Sequence, residues 1–247
     1  MLRKTYCLEV SGDFACFTRP EMKVERVSYD VITPSAARAV FEAILWKPAL
    51  RWVPTRIEVL KPIKWVSVRR NEVGSKVSVS NVKTAMKRGD GNLCIYADTS
   101  DERQQRAGLF LRDVKYRLYA HFEMTERDHR FSYPHLTHIV QDLKEEKERH
   151  KPNTPVKFFN MFERRAEKGQ CINQPYLGCR EFACDVRLID DPAKQPAPLI
   201  AETRELGWML YDMDYANSSD PAPRFFNARM KNGIVEIPDW NSEEVRG

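Results

Sequence analysis

The sequence is short of the features that staple, span or energise other proteins. Six of its 247 residues are cysteine, and Cys7, Cys16, Cys94, Cys171, Cys179 and Cys184 form no CxxC pair. Only the last three cluster, and His150, the nearest histidine, sits in a strongly charged stretch, so neither a disulfide framework nor a metal site is expected. GxxxxGK[ST], HExxH, GxSxG and GxGxxG are all missing, which argues against nucleotide hydrolases, zinc peptidases, common serine esterases and dinucleotide binding. No internal repeat or low-complexity tract is present. The opening MLRKTYCLEVSGDFACF alternates Leu8 and Val10 with polar neighbours instead of forming an apolar run. A signal peptide, membrane span or membrane partner is therefore not expected, and reduced thiols in the cytoplasm are.

What the sequence holds is an ordinary globular balance, 42% hydrophobic and 30% charged. The length suits one large core or two modest units. Forty Lys and Arg against 35 Asp and Glu leave a formal charge of +5. That excess permits nucleic-acid binding, and equally permits an enzyme whose charge keeps it in solution.

Periodicity and punctuation set the elements. Tyr6, Leu8 and Val10 predict a first strand within Lys4 to Val10. Thr33 and Pro34 open a helix whose apolar face is Ala37, Val40, Phe41, Ile44 and Leu45, ending near Trp46 before Pro48. Two strand-like runs lie between Arg51 and Val68. Asp98 to Gly108 reads as a loop. In LRDVKYRLYAHFEM, Val114, Tyr116, Leu118, Ala120, Phe122 and Met124 share one strand face, with Lys115, Arg117, Tyr119 and His121 on the other. This second face suits RNA by phosphate contact and base stacking, or is a solvated sheet face. DLKEEKERHK, residues 142–151, is an exposed helical extension or a loop. Thr154 and Pro155 start another helix, with Phe158, Phe159, Phe162 and Ala166 inward and Gly169 as its stop. Lys157, Met161, Arg164 and Lys168 form an adjacent stripe, a phosphate ladder or a charged helix flank. Prolines between Pro192 and Pro198 mark a linker or long turn. Beyond it three short strands are expected, at Leu206 to Tyr215, Phe225 to Lys231 and Ile234 to Ile237, the last two joined by Asn232 and Gly233.

Four longer segments occur in order: SGDFACFTRPEMKVERVSYDVITPSAARAVFEAILWKP, IEVLKPI, KYRLYAHFEM and KFFNMFERRAEKGQCINQPYLGCREFACD, with GWMLYDMD nearer the end. On these segments the chain resembles the CRISPR-associated pre-crRNA processing proteins of the type I-C (Dvulg) subtype, within the repeat-associated RNA-binding superfamily. The resemblance implies an α+β chain. A ferredoxin-like domain related to RNA-recognition modules would span residues 1–190, and a smaller antiparallel β unit residues 191–247. It further implies a metal-independent endoribonuclease without cofactor, which cuts the repeat hairpin of precursor crRNA and keeps the 5′ handle. Its partners would be the repeat RNA, the mature crRNA, and the backbone and large subunits of the type I-C complex. Nonspecific attraction to duplex DNA is a further expectation of a basic surface.

The implied reaction is attack of a ribose 2′-hydroxyl on the adjacent phosphate, leaving a 2′,3′-cyclic phosphate and a 5′-hydroxyl. A base, a cation and an acid must serve it. In the family, a tyrosine beside the Trp-Lys-Pro motif and a Lys-His pair at the start of the later helix are tied to cleavage. The matching positions here are Leu45, Lys157 and Phe158, so the lysine alone is kept. Lys157 would steady charge at the phosphate or simply anchor it. Tyr29 in VSYD, His121 on the basic strand and His150 near Lys157 are the candidates for the missing proton transfer. Trp46 would stack on a base or close the core, and Lys47 would touch a phosphate. Lys115, Arg117, Tyr119, Arg164, Arg165, Lys168, Tyr176 and Arg180 complete the RNA-binding set. Gly178 permits close backbone approach. Because two proton-transfer side chains are replaced, the alternative is a non-catalytic subunit that binds the 5′ handle and helps assembly.

Overall fold

A computed structural model describes residues 4–98, 102–125, 154–198, 200–217 and 219–247. The first strand, β1 (Tyr6–Ala15), runs five residues past its predicted end. Next come α1 (Pro34–Ile44), β2 (Leu50–Val59), β3 (Trp65–Val73), α2 (Val79–Arg88) and β4 (Arg103–Met124). After α3 (Pro155–Glu167) follow β5 (Asp185–Ile189), β6 (Arg204–Asp214), β7 (Ala222–Lys231), β8 (Ile234–Glu236) and β9 (Val245–Arg246). The described residues are α+β: three α-helices and one nine-stranded antiparallel sheet, ordered β5-β1-β4-β2-β8-β7-β6, with β3 beside β4 and β9 beside β7.

Local chemistry explains both core helices. Thr33 caps α1 by accepting the Ala36 N–H at 3.3 Å, and Thr154 caps α3 by accepting the Lys157 N–H at 3.3 Å. A proline follows each cap, where the missing N–H costs nothing. Both helices lay their apolar stripes on one sheet face. There Trp52 of β2 stacks on Phe41 at 4.9 Å and meets Phe162 at 4.7 Å, while Tyr6 meets Phe162 at 4.6 Å. The predicted inward residues of β4 are buried in this core, except half-buried Met124.

The expected loop from Asp98 to Gly108 is only partly one. Strand β4 begins at Arg103, because Arg103 to Leu111 pair residue for residue with Val73 to Trp65 of β3. Beyond this arm β4 pairs with β1 and β2, and Asp113, with φ 54°, marks the change. Lys61 and Lys64 hold the Asp113 carboxylate, Lys64 at 3.0 Å, and keep it at about 2. Helix α2 had no sequence forecast. The C-terminal strands fall within a few residues of their predicted bounds. Asn232 and Gly233, at φ 51° and 74°, form the two-residue turn between β7 and β8. β8 then pairs with β2, so the late strands extend the same sheet. Residues 142–151 lie outside the described residues.

Candidate active site

The end of the sheet where β2 begins and β4 finishes gathers the recognisable site positions. Leu50 pairs with Met124, the Thr125 N–H donates to the Ala49 carbonyl at 3.0 Å, and the Thr125 hydroxyl donates to the Pro48 carbonyl at 2.9 Å. These contacts pin the Trp46–Pro48 segment to the exit of β4. Phe122 meets Phe158 edge to face at 6.4 Å, which sets the first turn of α3 over the same end. Lys157 is exposed on that turn, with Nζ 5.8 Å from the centre of the Phe158 ring. A lysine at a helix N-terminus adds its charge to the helix's own partial positive charge, a setting suited to phosphate.

Leu45 and Phe158 are buried in the core, so the two positions matched to proton-transfer groups serve packing. The Trp52 indole donates to the Leu45 carbonyl at 2.8 Å. Nearby, Glu163 Oε1 receives the Tyr6 hydroxyl and Lys4 Nζ, each at 2.7 Å. Burial works to raise the Glu163 pKa, but these two donors and the Lys4 charge outweigh it and hold the carboxyl below its usual range. In the sequence this cluster leaves no mark beyond Glu163 one turn after Phe159.

The candidate replacements are scattered. Tyr29 is buried, its hydroxyl accepts the Leu210 N–H at 3.2 Å, and Arg19 lies 4.5 Å above its ring. Burial pushes its phenol up. His121 is also buried, with Nε2 3.7 Å from Glu123 Oε1. It points to the sheet face opposite the helices, since neighbouring Phe122 faces them. The sheet therefore separates it from Lys157. His150 lies outside the described residues.

The strand face read as basic is an ion-pair network. Arg117 is buried, donates to Glu58 at 3.2 Å and to the Pro196 carbonyl at 2.7 Å, and lies 3.7 Å from Glu9. The proline-rich segment thus covers part of this face. Lys115 and Arg187 reach Glu9 at 3.1 and 2.8 Å. Burial and the nearby Cys7 and Glu58 push the Tyr119 phenol up. Arg165 turns inward and caps α1 by donating to the Ile44 carbonyl at 3.0 Å. Lys47, Arg164, Lys168 and Arg180 are exposed and make no ion pair among the described residues, Trp46 is exposed, and Tyr176 is half-buried. Beside Tyr176, Gly178 holds φ +85°, and an added Cβ would lie 2.0 Å from the Cys16 carbonyl oxygen. Only glycine fits there. No group of three or more His, Cys, Asp or Glu side chains among the described residues is arranged to hold a metal ion, and none of the described helices is long and apolar enough to cross a membrane.

The fold is α+β with an antiparallel sheet, and α3 presents Lys157, Arg164 and Lys168 as exposed cations. The comparisons are more specific. The family model for CRISPR-associated protein (Cas_Cas5), of the Cas5d type, matches residues 5–238. The chain is 48% identical over 242 residues to the CRISPR pre-crRNA endoribonuclease Cas5d of Mannheimia succiniciproducens, covering 97% of each chain. It is 34% identical to the protein of that name in Thermus thermophilus, covering 96% of this chain and 93% of the relative. The chain belongs to the Cas5d family of CRISPR-associated proteins. Its fold matches a crystal structure of a CRISPR-associated protein, with TM-score 0.64 and 22% identity, over 100% of this chain and 99% of the other. The functionally uncharacterized protein SMU1763c of Streptococcus mutans matches with TM-score 0.63 and 22% identity, over the full length of both.

Proposed function

We propose that this chain is a pre-crRNA endoribonuclease that cuts the CRISPR repeat without a metal and keeps the 5′ handle of the product. The observation that carries the reading is 48% identity over 97% of the chain with a CRISPR pre-crRNA endoribonuclease. Residues β1, α1, β2, β4, α3 and β5 supply the strand order β5-β1-β4-β2, which we read as the ferredoxin-like core of a 1–190 domain, with 191–247 as the smaller β unit. The partners of the reading are repeat RNA, mature crRNA and the type I-C backbone and large subunits, in the cytoplasm. Duplex DNA would be held weakly and without sequence preference.

Lys157 carries the electrostatic role. Its ammonium and the positive end of the α3 dipole favour the phosphorane charge as the 2′-oxygen attacks. Lys47, Arg164, Lys168 and Arg180 hold the backbone, with Trp46 and Tyr176 for bases. Tyr29, His121 and His150 remain the proposed proton-transfer candidates. Of these, Tyr29 would need its present contacts to open, and His121, on the opposite sheet face, could act only at a phosphate other than the one Lys157 meets.

A second reading, a handle-binding subunit that does not cut, is favoured by the burial of Leu45 and Phe158. Purified protein and end-labelled cognate repeat RNA in EDTA separate the two. One cut that vanishes when the ribose at the cleavage site is 2′-deoxy supports the nuclease. Tight binding without a cut supports the second reading, and cutting of the deoxy substrate overturns the chemistry.

A further inference from the structure

A cleft of about 380 Å³ lies between α1, the start of β2 and the end of β6, closed on one side by Asp239, Trp240 and Asn241. Two kinds of surface meet in it. Tyr215, 42% exposed, and Trp240 supply aromatic walls; Trp240 is held edge to face against Tyr211 at 5.3 Å, and Arg224, outside the cleft lining, already lies 5.0 Å over its ring. Among the described residues the charged lining is Glu42, Glu123, Asp212 and Asp239 against Arg38 and Arg51, four negative and two positive, a surplus of two negative charges.

Both guanidiniums are already engaged. Arg38 donates to Asp212 at 2.6 and 3.1 Å and to Glu42 at 2.7 Å, and Arg51 donates to Glu123 at 2.5 Å. Asp239 differs. Its Oδ1 accepts the Asn241 N–H at 2.9 Å, and among the described residues no lysine or arginine forms an ion pair with it. The negative surplus registers on the cleft wall. Burial first, then Asp239 and Asp212, push the Tyr211 phenol up to about 12.

The ligand chemistry follows from this combination. Phosphate is repelled by the surplus charge, and a neutral nucleobase gains nothing from it. A guanidinium or ammonium gains twice, from the carboxylate and from the ring faces, where a cation–π contact contributes about 0.5–2 kcal/mol. We infer that this cleft is a docking site for an arginine or lysine side chain of a protein partner, with Asp239 as counter-ion and Tyr215 and Trp240 as walls.

The test needs no RNA and so stands apart from the cleavage assay. The intact protein is titrated with N-acetyl-arginine amide, with the neutral isostere N-acetyl-citrulline amide, and with guanosine, while the tryptophan indole N–H resonances are followed by NMR. The expected result is saturable binding of the arginine probe with citrulline about tenfold weaker, and loss of that preference in Asp239→Asn. Asp239→Asn keeps the acceptor oxygen for the Asn241 N–H, and an unchanged melting curve checks its fold. Equal binding of arginine and citrulline, tighter binding of guanosine, or no saturable shift with arginine would each overturn the inference on the wild-type protein alone.

Discussion

Arg38 on α1 donates to both carboxylate oxygens of Asp212 on β6, at 2.6 and 3.1 Å. This fork joins a helix of the first half to a strand of the last quarter. Tyr29 with Leu210, and Arg204 with Asp30 at 3.4 Å, make parallel links, and β8 pairs with β2. Residues 191–247 are therefore expected to unfold together with the rest, in one calorimetric transition. Arg38→Ala should cost about 2 kcal/mol, below the ~3–5 kcal/mol of a fully buried pair because both partners retain some solvent. Two separate transitions in the wild-type scan would contradict this coupling.

Acid should act through Glu9 and Glu163. Burial alone would raise both pKa values, but Lys115 and Arg187 outweigh it at Glu9, as Lys4 and Tyr6 do at Glu163, so both carboxyls sit below their ordinary value of 4.5. A depressed folded pKa gives stability that is present above the unfolded value and lost as pH falls through the folded one. Urea midpoints are thus expected to hold above about pH 4.5 and to drop below it. Glu163→Gln should flatten part of that drop, a change read from midpoints measured between pH 6 and pH 3.

Lys157→Ala should lower single-turnover cleavage of the repeat on the order of 10²-fold, the usual scale for one group that stabilises transition-state charge. Lys157→Arg keeps the charge, and should retain RNA binding while recovering only part of the rate. Unchanged cleavage by the alanine variant would remove Lys157 from the chemistry.

Restoring the family's side chains should fail. Phe158 and Leu45 are buried, so Phe158→His and Leu45→Tyr put polar groups, and in the second case extra volume, into a packed core. Each is expected to lose about 2–4 kcal/mol by urea unfolding and to gain no cleavage. A faster cut with unchanged stability would show that these sites open toward RNA.

Several elements were readable because they depend on near neighbours. Thr33-Pro34 and Thr154-Pro155 specify helix starts through one hydroxyl and one absent N–H. Asn232-Gly233 specifies its turn through two positive φ angles, and the alternation from Val114 to Met124 specifies a strand with one apolar face. The first half of β4 was missed because its polar residues are ordered by β3, whose paired residues lie 30 to 46 positions away in sequence. Arg117 read as an RNA contact because nothing local reveals that Glu58 and the Pro196 carbonyl close over it.

The helix that carries Lys157, the apolar stripe beneath it and the family to which the chain belongs were determined by the sequence alone. Only the tertiary structure decided that His121 and Lys157 stand on opposite faces of one sheet, that the Tyr29 hydroxyl is engaged by Leu210, and that Arg165 caps α1. Capping and periodicity act over a few residues and leave their mark in adjacent letters. Which face a residue shares, and with whom, is settled by burial and pairing between segments far apart in the chain, where no short pattern carries the answer.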